Sequence, residues 1–264
     1  MRRAVTITPE PESTFTFPMG SNSGLPTPFD IRKLGVALAV LAALVGPVVV
    51  TLWVSTPDVS DVQSRMDAVT RAEGIVLLRT DQVPDLLAKA VVAIEDERFY
   101  SHHGIDTIGL ARALLYDAVN FCPCQGGSTI TEQLVKQLYL NGSDRGYNKI
   151  VDMVLALKVE SFLSKQQIMA DYVSEIPTGS NRYGVSAAAC AYFHAPLDQL
   201  TLGQYALLAG MAQAPSRYDP TVDPEAALIR RAQVLNNMVS HGYISPAQAL
   251  SATHEPVLAA GSGC

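Results

Sequence analysis

The sequence predicts a mainly α-helical domain behind a single membrane-spanning helix. Three observations carry that prediction. Residues 34–54 form an apolar run without charge. From about residue 74 onward, apolar residues recur at three-to-four spacing in one segment after another. No series of alternating strand-like segments interrupts them.

Composition agrees. Of the 264 residues 48% are hydrophobic and 17% charged, below the ~25% charge of soluble globular chains. Mean hydropathy is +0.17. These values exclude a disordered chain and leave apolar surface for lipid. A net charge of −6 excludes a general basic footprint for nucleic acid. Four cysteines are too few for a disulfide scaffold. No repeat of 20–50 residues points to a solenoid.

The elements follow in order. Residues 1–33 are rich in Pro, Ser and Thr, lack apolar periodicity and read as a disordered tail. The run 34–54, LGVALAVLAALVGPVVVTLWV, makes a helix of ~31 Å, enough for a hydrocarbon core of ~30 Å. Pro47 is a tolerated kink and Trp53 an interfacial anchor. Arg2, Arg3, Arg32 and Lys33 precede the run, whereas Asp58 and Asp61 open its far side. Positive-inside then places the N-terminus in the cytoplasm and residues 55–264 outside, in an inner (plasma) membrane protein of single-pass topology. The tail is net +1, which leaves the remainder at −7.

Residues 55–73 read as a polar linker. Helices are expected over 85–99, 107–119, 128–140, 148–163, 165–176, 186–195, 200–213 and 224–244. Asp106 is the expected cap of the second, and Thr129 with Glu132 fits a capping box on the third. Gly242 ends the last by its freedom at C′, and Ser245-Pro246 starts one more. A tail of 251–264 closes the chain.

Three constellations carry chemistry. In EDERFYSHHGID (95–106), Glu95 emerges from an apolar helix, where partial burial raises a carboxylate towards a working base. Singly, such acids are solvated and such histidines structural. In GGSTITEQLVK (126–136), Gly127 feeds a helix start carrying Ser128 and Thr129, which suits a pyrophosphate. Gln133 and Lys136 share the Thr129 face. Lys136 also lies four residues from Glu132, an ordinary surface pair. No phosphate loop of nucleotide hydrolases is present. Finally, Lys149 and Asp152 can present a cation and a carboxylate together, or form a solvated pair.

In this order, ED-x-x-F-x-x-H-x-G-x-D followed by GGSTIT-x-QLVK resembles the glycosyltransferase family 51 domain, the peptidoglycan glycosyltransferase of penicillin-binding proteins. The resemblance continues through KVESFLSKQQIMADY, YGVSAAACAYF, LTLGQYALLAGMAQAPSRYDP and RRAQVLNNMVSHGYIS, about residues 74–250. It implies a lysozyme-like helical lobe with a small membrane-associated jaw. It implies polymerisation of lipid II into β-1,4-linked glycan strands by inversion, with release of undecaprenyl pyrophosphate. Glu95 is then the general base, and Asp152 stands at the second catalytic acid. Asp96, Phe99, His102, Gly104, Asp106, Gly127, Ser128, Thr129, Gln133, Lys136 and Lys149 bind substrate or shape its site. No cofactor is required, with a divalent cation, Mg or Mn, as an optional aid. The implied partners are lipid II, the growing glycan strand, membrane lipid and other cell-wall synthesis proteins, without nucleic acid.

This chain departs from the family pattern at several positions. Glu132 replaces a glutamine, and Asn148, Lys149 and Asp152 stand where R-K-x-x-E is usual. Ser174 replaces an asparagine, and Pro177-Thr178 an aromatic pair. Asp for Glu withdraws the carboxylate by ~1.3 Å, and a misplacement of ~1 Å can cost ~10²-fold. The 264 residues hold no S-x-x-K or K-T-G, so the expectation is a monofunctional transglycosylase. Cys122 and Cys124 flank one proline and are poorly placed to pair with each other; Cys190 or Cys264 is the better partner for either. The rival readings are a lipid II-binding scaffold and a glycan-cleaving, lysozyme-like enzyme.

Overall fold

The computed structural model describes residues 31–122, 126–140, 142 and 146–258. It divides into two units, 1–48 and 49–264. The expected tail 1–33 lies almost wholly outside the described residues, as do Cys124 and Cys264. Cys122 and Cys190 are each disulfide-bonded.

Eleven α-helices occur among the described residues: α1 (Ile31–Ser55), α2 (Val62–Glu73), α3 (Asp85–Glu95), α4 (Thr107–Asn120), α5 (Ile130–Leu140), α6 (Tyr147–Phe162), α7 (Lys165–Glu175), α8 (Val185–Phe193), α9 (Leu202–Met211), α10 (Pro224–Ser240) and α11 (Pro246–Thr253). Among the described residues β pairing is confined to two isolated bridges, His103 with Ile105 and Pro177 with Tyr183. The mainly α expectation therefore holds.

The capping signals work largely as read. Asp106 accepts from Gly109 N at 2.8 Å, and the Ser245 hydroxyl caps α11 in a reciprocal box with Gln248. Gly242 takes φ +71 beyond the end of α10, a left-handed conformation that glycine reaches without cost.

Among the described residues no helix is long and apolar enough to cross a membrane. Seven side chains of α1, at 31–34, 37, 38 and 41, lie outside them. Elsewhere α1 exposes Val36, Val40, Leu44, Val48, Val49, Val50 and Val54.

The expected linker 55–73 is corrected. Most of it is α2, which buries Val62, Met66 and Thr70. That four-residue spacing marks one helix face, but three apolar residues amid charges are a weak signal. Tertiary ties fix it: Gln63 donates to Asp171 at 2.8 Å and Tyr139 to Asp61 at 3.0 Å. Just before it, the buried Lys158 ammonium donates to the carbonyls of Thr56 and Pro57 at 3.0 and 3.1 Å.

The core lies where α3, α9 and α10 pack on one another and where α5 packs on α6 and α7. Leu87, Leu134, Leu155, Ile168 and Leu207 are fully buried in it. The loop between α3 and α4 is pressed on this core by Gly104. It has φ +87, and a Cβ there would sit 2.7 Å from the Ala156 carbonyl carbon. Gly104→Ala is expected to destabilise by at least ~2 kcal/mol and lower Tm by roughly 4–8 °C, as thermal unfolding would measure. An unchanged Tm would show that α6 yields.

Burial without compensation pushes the Glu175 carboxyl up to about 8 from its ordinary 4.5. The native state therefore keeps a proton that the unfolded chain loses between those values. Stability falls as pH rises from about 4.5 to about 8 and is level beyond. Glu175→Gln should match the wild-type Tm near pH ~4 and exceed it near pH ~9. Equal Tm values at both would refute the native proton.

Candidate active site

The site forms where the C-terminus of α3 meets the N-terminus of α5. Glu95 ends α3, after an apolar face buried on α9 and α10. This places its carboxylate at the edge of the core, with the side chain 10% exposed. Glu95 lines a cleft of about 600 Å³ together with Asp96, Glu97, Arg112, Gly126, Asn237 and His241. A narrower recess of about 50 Å³ adds Asp106, Gly127, Ser128 and Thr129.

Both oxygens of Glu95 are held. Oε2 accepts from Gln133 Nε2 at 3.0 Å, and Tyr172 donates its hydroxyl proton to Gln133 Oε1 at 3.1 Å. Oε1 lies 3.5 Å from an Arg230 terminal nitrogen. Burial raises the Glu95 pKa, against the lowering effects of Gln133, Arg230 and Lys136. A carboxylate so placed is strengthened as a proton acceptor yet keeps positive neighbours.

Asp96 performs a different task. It accepts from His102 Nε2 at 2.9 Å and from Ile130 N at 3.1 Å, so it caps α5 across the fold. Phe99 is fully buried, edge-on to the His102 ring at 6.3 Å. Gly104 supplies the carbonyl that accepts from Thr129 Oγ1 at 2.7 Å. Asp106 pairs with Arg98 as well as capping α4. Phe99, His102 and Gly104 thus stand behind the cleft wall, fixing the α3 end to the α5 start. Asp96 and Asp106 reach the wall itself.

The capping box expected at Thr129 is half formed. Thr129 Oγ1 accepts from Glu132 N at 3.1 Å. Glu132 does not return the bond: its carboxylate takes Lys149 Nζ at 2.6 Å. The expected surface pairing of Glu132 is likewise corrected, because its side chain is only 2% exposed. The cause is α6, which packs along α5 and brings a cation to a carboxylate already leaving water.

Lys149 also donates to Ser128 Oγ at 2.9 Å and stands 3.5 Å from Asp152 Oδ2. The carboxylate of the pair is not solvated, since the Asp152 side chain is 2% exposed, against 34% for Lys149, and its Oδ1 is buried without a hydrogen-bond partner. Burial raises both carboxyls. Burial opposes the Lys149 charge, yet Glu132 and Asp152 overcome it and hold the pKa above its ordinary value. Lys136 acts electrostatically on both Glu95 and Asp152.

Among the described residues no group of three or more His, Cys, Asp or Glu could hold a metal ion. Where Glu132 and Asp152 converge, the Lys149 ammonium already supplies the positive charge.

Sequence reasoning missed Arg230 and Tyr172 as neighbours of Glu95. Arg230-Arg231 on the buried face of an amphipathic helix was the available signal, because buried arginines need partners. Adjacent helical positions diverge, and Arg231 turns to the carbonyls of Thr253 and Glu255, both at 2.8 Å.

A family model described as Transglycosylase matches residues 63–239. Penicillin-binding protein 1A of Vibrio cholerae is 40% identical over 181 residues, 69% of this chain and 22% of that protein. Penicillin-binding protein 1A of Aquifex aeolicus is 38% identical over 200 residues, 76% of this chain and 28% of that protein. The chain thus spans about a quarter of the length of these relatives. With the crystal structure of Penicillin-Binding Protein 1A from Haemophilus influenzae it shares 21% identity and a TM-score of 0.40, over 71% of this chain and 18% of that one. That likeness is too low to bear on the fold.

Proposed function

The chain belongs to the transglycosylase family, and we propose that it polymerises lipid II into β-1,4-linked glycan. The observation that supports this most directly is Glu95, a buried carboxylate gripped at both oxygens and facing an open cleft. In this reading Glu95 takes the proton from the acceptor 4-hydroxyl. The freed oxygen attacks C1 of the donor, the bond from C1 to the pyrophosphate oxygen breaks with inversion, and undecaprenyl pyrophosphate departs. Stabilising that anion requires cations or N–H donors aimed where its charge grows. In this reading Lys136, Lys149 and the Ser128–Thr129 helix start take on that task. The remaining motif residues hold these two centres in register.

The uncharged stretch 34–54 is proposed as the membrane span, with the N-terminus cytoplasmic and the domain outside. Helix α4 supports a lipid-facing jaw, because it buries only Ala113 and exposes Ile108, Leu114, Leu115 and Val119. The monofunctional reading concerns these 264 residues alone.

The testing experiment is incubation of labelled lipid II with the full chain in detergent, followed by separation of the products. Glycan strands would support the enzyme. Bound lipid II without product would favour a binding or scaffolding role, the reading that Asn148 and Asp152 motivate. Disaccharide release from preformed glycan would favour the hydrolase.

A further inference from the structure

Arg230, one of the cations acting on Glu95, has a seat built in detail. It is 7% exposed. Its Nε donates to the Gly210 carbonyl at 3.0 Å, and one terminal nitrogen to Gln233 Oε1 at 3.3 Å. The guanidinium lies over the Tyr218 ring, 5.4 Å from its centroid. The other terminal nitrogen faces Glu95 Oε1 at 3.5 Å. Gly210 is required for this arrangement, since a Cβ there would meet Arg230 Cγ at 2.8 Å. Three elements thus serve one guanidinium. Burying it so thoroughly is costly unless the charge is used.

We propose that Arg230 is a positioning residue for Glu95, seated by Gly210 and Tyr218 so that α10 fixes the face of the carboxylate that α5 does not. The proposal rests on the reading of Glu95 as the base. Gln133 and Arg230 grip opposite oxygens, so neither oxygen can swing into the core. Arg230 touches no reacting atom. It also supplies charge that offsets desolvation. The other charged groups acting on Glu95 are Asp96, which opposes ionisation, and Lys136 on α5, which favours it. Tyr172 on α7 reaches it through Gln133 and carries no charge near neutral pH.

The test uses the full chain in detergent with Arg230→Gln, Arg230→Lys and Gly210→Ala. Carbon-13 NMR titration of the Glu95 carboxyl, assigned with Glu95→Gln, reads its ionisation independently of turnover. The pH profile of lipid II polymerisation reads its use. In Arg230→Gln the Glu95 midpoint should rise by about one pH unit. The acidic limb of the rate profile should follow it, kcat below that limb should fall about tenfold, and KM should change less than ~threefold. Arg230→Lys should shift less. A folded Arg230→Gln with an unmoved midpoint would overturn the proposal. Should that variant not fold, Gly210→Ala decides: it retains the guanidinium but pushes its stem, so the midpoint rises if positioning matters and stays if it does not. A moved midpoint in a chain that makes no glycan would refute the proposed function and leave the Arg230 assignment standing.

Discussion

Glu95→Gln is expected to abolish glycan synthesis while leaving the fold intact. Glutamine has the same shape: its carbonyl oxygen can still accept from Arg230, and its amide NH2 is met if the Gln133 amide turns to offer Oε1, with the Tyr172 hydroxyl then accepting from Gln133 Nε2. It cannot take a proton. General-base assistance contributes ~10²–10⁴-fold, so the residual rate should lie at least ~10²-fold below wild type. Thermal stability should change little, because relief of a carboxyl opposed by burial is offset by leaving the buried Arg230 guanidinium without its anionic neighbour. The measurement is strand formation from labelled lipid II beside a thermal melt. Undiminished synthesis would remove Glu95 from the reaction, and a collapsed melt would assign it to structure instead.

Lys149→Met is expected to cost both stability and activity. The lysine is shared by Glu132 at 2.6 Å and Asp152 at 3.5 Å, each 2% exposed. Removing it leaves two carboxylates facing each other in a poorly solvated space. Breaking a buried pair costs ~3–5 kcal/mol. Because Lys149 itself is a third exposed, about 2–3 kcal/mol is the better expectation. One of the carboxyls should then keep a proton, so the variant should regain part of its loss as pH falls from ~7 to ~5. Activity should fall by ~10² or more, since the same ammonium holds Ser128 at the helix start and contributes to the proposed anion site. Denaturant titration at the two pH values tests the first claim and polymerisation the second. A variant as stable as wild type at both would show that Glu132 and Asp152 find other partners.

The helices were legible because their cues are local. An apolar face at helical spacing, a cap such as Asp106 or Ser245, and a breaker such as Gly242 each act within a turn or two of chain. The segments EDERF and GGSTIT, each contiguous in sequence, were legible as carboxylates at a helix end and as an anion-suited helix start, whereas their meeting at one recess belongs to the tertiary structure. Helix α2 was read as linker because its buried face consists of only Val62, Met66 and Thr70. Its placement depends on Asp171 and Tyr139 far along the chain.

The partner of each charge was not legible. Glu132 suggested a cap and a surface pair by its neighbours in sequence. Its actual partner, Lys149, is 17 residues away on another helix. Arg230 is 135 residues from Glu95. The sequence by itself determined the helical class, the helix ends and the two contiguous motifs, since these follow from backbone hydrogen bonding and apolar periodicity over a few residues. Only the tertiary structure decided which carboxylates leave water and which cations meet them. Desolvation and Coulomb energy depend on distance in space, and packing sets those distances among helices remote along the chain.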